Sequence, residues 1–140
     1  MFMKNESGRS EKGFTLIELI VVLVILVLLA AVVAPKVFNK LAKGKDQIAK
    51  IQITEIEGAI QLFSFDMGRN PTTAEGLESL VRNPGNNDSW KGPYLAKALP
   101  QDPWGRPYAY RCPGNNGDYD LLSFGADGTE GNEDDICSWK

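Results

Sequence analysis

The sequence predicts an α+β chain: a long amino-terminal helix, its first half suited to a membrane, with a small antiparallel sheet laid on its second half. Three observations predict it. Leu19 to Ala34 is a run of sixteen uncharged apolar residues, with one carboxylate, Glu18, just before it. Beyond the run, Val37, Leu41, Ile48, Ile51, Ile56, Ile60, Phe63 and Met67 recur at helical spacing, with Lys40, Lys43, Lys45, Lys50, Glu55 and Glu57 between them. From Asp102 onward the period changes to two: Tyr108, Tyr110 and Cys112 alternate with Ala109 and Arg111, and Tyr119, Leu121 and Ser123 with Asp120, Leu122 and Phe124.

Phe14 to Ala34 is 21 residues, about 31 Å as a helix, which is enough to cross the hydrocarbon of a bilayer. Pro35 removes one backbone hydrogen bond and favours a kink there, and Gly44 loosens the helix further on. The helical pattern nevertheless continues to Phe65, for a length on the order of 78 Å. It ends near Asp66-Met67-Gly68, where Gly68 can take the left-handed cap conformation. Residues 69–100 form a connector rich in turn signals, such as Asn70-Pro71-Thr72-Thr73 and Asn83-Pro84-Gly85. Within it Ala74 to Arg82 reads as a short helix, capped by Thr72 or Thr73, with Glu75 in its first turn and Leu77, Leu80 and Val81 on its apolar face. Pro113-Gly114-Asn115-Asn116-Gly117 turns the last two segments into an antiparallel hairpin whose apolar face can pack on the second half of the helix.

Length and charge restrict what the chain can be. With 140 residues and a formal charge of −3 it suits one small domain plus an anchor. There is no basic excess, so no nucleic-acid partner is implied. Residues 1–13 carry Lys4, Arg9 and Lys12 against Glu6 and Glu11, a net +1 that keeps this end cytoplasmic and sends the rest across the membrane. A charge at mid-membrane costs roughly 2.5–3.5 kcal/mol on the translocon scale, so Glu18 calls for a cationic partner. The partner we expect is a new amino terminus at Phe14, made by cutting after Gly13 and carried by a second copy of the chain. The expected organisation is a cleaved cytoplasmic leader (1–13), a transmembrane and assembly half-helix (14–34), and a periplasmic globular part that includes the amphipathic half-helix (35–140). Three other readings of the apolar segment stand beside this one: a cleaved secretory signal, a permanent anchor without assembly, and a buried soluble helix. The last is poor because the run is apolar on every side.

Two further sites stand out. Gly125 to Asp135 holds five acidic residues and three glycines in eleven positions. Calcium wants six to eight hard oxygen ligands in tolerant geometry, which such a loop can provide, although the spacing is not that of a helix-loop-helix calcium hand. A solvated acidic turn is the alternative. Cys112 and Cys137 flank the loop. An exported location favours a bridge between them over two free thiols. Trp90, Trp104 and Trp139 read as packing residues. The chain contains no histidine, which excludes triads built on one, and nothing else in it points to catalysis.

Lys12-Gly13-Phe14-Thr15-Leu16-Ile17-Glu18 and the apolar helix after it resemble the class III signal of type IV pilins and pseudopilins. Asn70-Pro71-Thr72-Thr73-Ala74-Glu75-Gly76-Leu77, Gly92-Pro93-Tyr94-Leu95, Leu99-Pro100-Gln101-Asp102-Pro103-Trp104-Gly105 and the acidic loop narrow the likeness to the major pseudopilin family of type II secretion systems, over nearly the whole chain from Gly13. The resemblance implies a non-enzymatic subunit of a periplasmic pseudopilus that drives export of folded proteins across the outer membrane. It implies cleavage between Gly13 and Phe14 by a prepilin peptidase, methylation of the Phe14 amine, and pairing of Glu18 with the amine of an adjacent copy during assembly. It also implies an inner-membrane location with a periplasmic carboxy-terminal domain. Expected partners are further copies of the chain, minor pseudopilins, the inner-membrane assembly platform and, before assembly, lipid. Calcium is expected on side chains of Asp127, Asp134 and Asp135 and carbonyls of Phe124 and Thr129. The family does not generally place cysteines like Cys112 and Cys137. A type IV or competence pilus subunit, or a non-assembling calcium-binding anchor domain, are the competing assignments.

Overall fold

The computed structural model describes residues 12–140. Of the expected leader, only Lys12 and Gly13 fall among these residues. The element order is a helix α1 (Leu16–Met67), a four-residue 3-10 helix (Leu77–Leu80), and strands β1 (Ala109–Arg111), β2 (Asp120–Ser123) and β3 (Ile136–Cys137). The chain divides into two compact units between Asn39 and Lys40.

In the first unit the helix is apolar all round from Leu19 to Ala34, and side chains from Leu16 to Val33 are exposed in the single chain. This segment is long and apolar enough to cross a membrane. The helix does not break at Pro35 or at Gly44. Pro35 simply leaves one carbonyl of the preceding turn without its usual donor.

In the second unit α1 buries Ala49, Ile53, Ile56, Ala59, Ile60 and Phe63, a stripe at three- and four-residue spacing. Leu77, Leu80, Leu95, Tyr108 and Leu121 close over it to form one core. Ile56, Ile60 and Phe63 are fully buried, each stabilising by about 1.5–3 kcal/mol relative to exposure. Phe63 and Trp90 both meet Tyr94 edge-on, with centroids 5.7 and 5.6 Å apart. The Trp90 indole donates to the Ser79 carbonyl at 2.8 Å, consistent with a packing role. The helix stops where expected: Gly68 takes φ +72° and its N–H bonds to the Ser64 carbonyl at 2.9 Å. Ile48 and Ile51, read from the sequence as part of the covered stripe, lie instead on the open side with Leu62 and Phe65. Ala49 and Ile53 hold the buried side, because the sheet and the connector cover only one face.

The expected hairpin forms. β1 and β2 pair antiparallel, with Ala109 opposite Leu122, Tyr110 opposite Leu121 and Arg111 opposite Asp120. Two expectations need correction. The helix read over Ala74–Arg82 is only the 3-10 turn Leu77–Leu80, because Gly76 enters at φ +61°, outside helical geometry. Ahead of it, Thr72 and Glu75 cap each other: the Thr72 N–H donates to Glu75 Oε2 at 2.9 Å and the Glu75 N–H to Thr72 Oγ1 at 3.2 Å. The second correction is the cysteine bridge. Both cysteines are free, Cys137 buried and Cys112 partly so. The reason is the third strand, which a two-residue segment gave no period to reveal. β3 pairs with β2, with Cys137 opposite Leu122, so the sheet order is β1-β2-β3. Cys137 is therefore level with Ala109 across two strand spacings, about 9.5 Å, and Cys112 lies further off still, past the other end of β1. A disulfide needs Cα atoms within about 7 Å.

Candidate functional site

The first candidate site is the start of α1. Residues 12–15 are exposed and non-helical, and Phe14 is 91% exposed, so the Gly13–Phe14 bond is open to a protease. Thr15 is the cap. Its N–H and its hydroxyl donate to Glu18 Oε2 at 2.8 and 3.0 Å, and the Glu18 N–H donates back to Thr15 Oγ1 at 3.2 Å. This is a capping box, in which two orphan backbone donors of the helix start are satisfied reciprocally. The positive end of the helix dipole adds to the preference for a carboxylate here. Thus Glu18 is already supported within its own chain. Both of its bonds from Thr15 use Oε2, which leaves Oε1 to receive a further donor. The Thr-x-x-Glu spacing that encodes the box is visible in the sequence, but the charge of Glu18 by itself carries no signal of the part played by Thr15.

The second candidate site is the acidic loop after β2. Its neck is tight: Gly125 has φ +64°, and a Cβ there would collide with the Asp134 carbonyl. Asp127 accepts the Thr129 N–H through Oδ1 at 2.9 Å and the Asn132 side-chain amide through Oδ2. The exposed Asp134 donates its N–H to Asn132 Oδ1 at 3.0 Å. Asp135 is 8% exposed; its Oδ2 accepts the Gly131 N–H at 2.7 Å, while its Oδ1 is buried without a partner. Phe124 lies partly buried at the loop's start and Thr129 at its exposed turn. Among the described residues no three acidic, cysteine or histidine side chains converge as metal ligands. The loop therefore holds hard oxygen donors and one orphan carboxylate oxygen, with the Asp127 carboxylate engaged in the loop's own bonds. Two arginines brace it. Arg106 donates to the Gly125 and Ala126 carbonyls at 2.6 and 3.3 Å, and Arg111 pairs with Glu130 at 2.6 Å. Neither arginine was singled out from sequence, since a lone Arg in a turn carries no signal of what it reaches.

A third cluster holds the connector. Glu75 receives the Arg69 guanidinium through two bonds, at 2.8 and 2.7 Å. Those bonds, chiefly, bring its carboxyl down to about 2. Burial pushes the Cys137 thiol up, so it is a poor thiolate. The arrangement supports binding and assembly, with no nucleophile–base pair among these clusters.

A long helix with an apolar first half, a capped glutamate at its tip and a small three-stranded sheet define a membrane-anchored, pilin-like subunit. The sequence profile of "Type II secretion system (T2SS), protein G" matches residues 36–139, and that of the "Prokaryotic N-terminal methylation motif" matches residues 8–34. The chain belongs to the type II secretion system protein G family. It is 44% identical over 137 residues to the type II secretion system core protein G of Pseudomonas aeruginosa, covering 94% of this chain and 96% of that protein. It is 43% identical over 134 residues to that of Escherichia coli K12, covering 92% and 91%. The crystal structure of the major pseudopilin from the type 2 secretion system of enterohaemorrhagic Escherichia coli matches with TM-score 0.63 and 34% identity, over 72% of this chain and 87% of that one.

Proposed function

We propose that this chain is the repeating subunit of a periplasmic pseudopilus, held in the inner membrane until it assembles and polymerising through α1 to push folded proteins across the outer membrane. The observation that carries this reading is the Thr15–Glu18 box at the mouth of an uncharged membrane-length helix, next to an exposed Gly13–Phe14 bond. A prepilin peptidase cuts that bond and methylates the Phe14 amine. The new amine of one copy then approaches Glu18 Oε1 of another. In apolar surroundings an anion left without a cation is costly, so the pair favours the one register in which the two meet. Ile48, Ile51, Leu62 and Phe65, open in the single chain, give a neighbouring copy an apolar face to cover. A contact of this heterologous kind, repeated without closing, makes a filament. Lys4, Arg9 and Lys12 keep the amino-terminal end cytoplasmic, and the sheet-bearing part is periplasmic. The assembly platform and the minor pseudopilins are the other partners in this reading.

Calcium fits the loop by its chemistry: hard oxygens, and the buried Asp135 Oδ1 that lacks a donor. Asp127, Asp134 and Asp135 would hold it by side chains, Phe124 and Thr129 by carbonyls. Bound calcium supplies a divalent charge that cross-links the loop.

The deciding experiment is the intact mass of the chain purified from secreting cells. A mass beginning at Phe14 with one added methyl group supports the proposal. A functional chain that still carries residues 1–13 overturns it.

A further inference from the structure

We propose that Arg106 is the positioning residue of the acidic loop, a cation built into the chain that closes the loop's neck before any metal reaches it. Its Nη1 donates to the Gly125 carbonyl at 2.6 Å and its Nη2 to the Ala126 carbonyl at 3.3 Å. The guanidinium lies against Gly128, where φ is +72° and a Cβ would stand 2.7 Å from Cζ. Only glycine leaves that space at that backbone angle.

Arg106 is itself held from behind. Its N–H donates to Asp102 Oδ1 at 2.8 Å, and the Trp104 N–H donates to the same oxygen at 3.1 Å. Asp102 is 4% exposed, and its Oδ2 accepts from the Ser123 hydroxyl at 2.6 Å. Ser123 Oγ in turn accepts the Gly125 N–H at 3.3 Å. Both polar backbone groups of Gly125 therefore belong to one network rooted in Asp102, at the point where the loop's start abuts Asp134.

Gathering successive carbonyls of an irregular loop around one positive charge is what a bound metal does. Arginine is always charged and offers its donors in a fixed fork. None of the ion pairs among the described residues includes Arg106. Its charge is directed at the carbonyl dipoles instead. The neck is then ordered by the fold, and calcium, on the reading above, meets a loop already closed.

The test uses the full chain in detergent micelles and follows amide hydrogen exchange across residues 125–135. In chelator, wild-type loop amides are expected to be protected. Arg106→Met is expected to speed their exchange by about tenfold or more, the loss of two charge-assisted bonds, while β2 amides stay as in wild type. Arg106→Lys should recover part of the protection, since an ammonium keeps the charge without the fork. Calcium should restore protection to Arg106→Met. Wild-type exchange rates in the Met variant under chelator would overturn the proposal. If the Met variant also loses β2 protection, Arg106→Lys decides: intermediate loop protection over an intact sheet supports the proposal, and wild-type protection refutes it. Arg106→Met amides that exchange as fast with calcium as in chelator would overturn the calcium reading alone, leaving the chelator result to judge Arg106.

Discussion

Acid should weaken the second unit through Glu75, and the size of the effect follows from its contacts. The carboxylate receives two bonds from Arg69 and one from the Thr72 N–H, and its carboxyl lies at about 2 rather than 4.5. At 1.36 kcal/mol per pH unit that difference corresponds to roughly 3 kcal/mol before screening. The Arg69 side chain is 43% exposed and that of Glu75 22%, so solvent screening reduces it to roughly 1–2 kcal/mol. The sign is that of a depressed carboxylate. The stabilisation is fully present above the unfolded value near 4.5 and is lost as pH falls through about 2. The assay is thermal unfolding of the full chain in micelles, wild type beside Glu75→Gln, from about pH 7 down to about pH 2. The variant keeps a neutral acceptor for Thr72, so it isolates the charge. Wild type should be more stable near neutrality, and the gap should close below about pH 4. A gap that stays constant across the range would refute the role given to the ion pair.

Three other outcomes are expected. Glu18→Ala should leave cleavage at Gly13–Phe14 intact and abolish fibres; electron microscopy showing normal fibre yield would remove the basis for pairing with a neighbour's amine. Phe63→Ala should cost about 3–5 kcal/mol, because the ring is fully buried between the helix and Tyr94; a loss under about 1 kcal/mol in denaturant melts would contradict its place in the core. Cys112 and Cys137 should both alkylate without prior reduction, Cys112 first, because Cys137 is buried and its thiol is pushed up. Labelling that appears only after reduction would restore the bridge.

The helix, its end at Met67, the hairpin and the family were legible because each is written in local periodicity, a run of like residues or a short motif. A cap at Thr72 or Thr73 was legible for the same reason; the structure selects Thr72, paired with Glu75, and the helix it introduces shrinks to one 3-10 turn at Gly76. β3 was not legible, since two residues carry no period. Nor was the choice between Ile48–Ile51 and Ala49–Ile53 for the covered side: both pairs fit helical spacing, and only what packs against them separates the two.

From the chain of residues alone came the membrane-length anchor, the lone carboxylate that requires a partner, and the acidic loop with its hard oxygens, because charge, apolarity and spacing are properties of the polymer itself. Tertiary structure decided that Glu18 is capped by Thr15 with one oxygen to spare, that β2 lies between Cys137 and the strand leading to Cys112, and that Arg106 reaches the neck of the loop. Those are relations between groups at particular distances, and distance between residues remote in sequence exists only once the chain has folded.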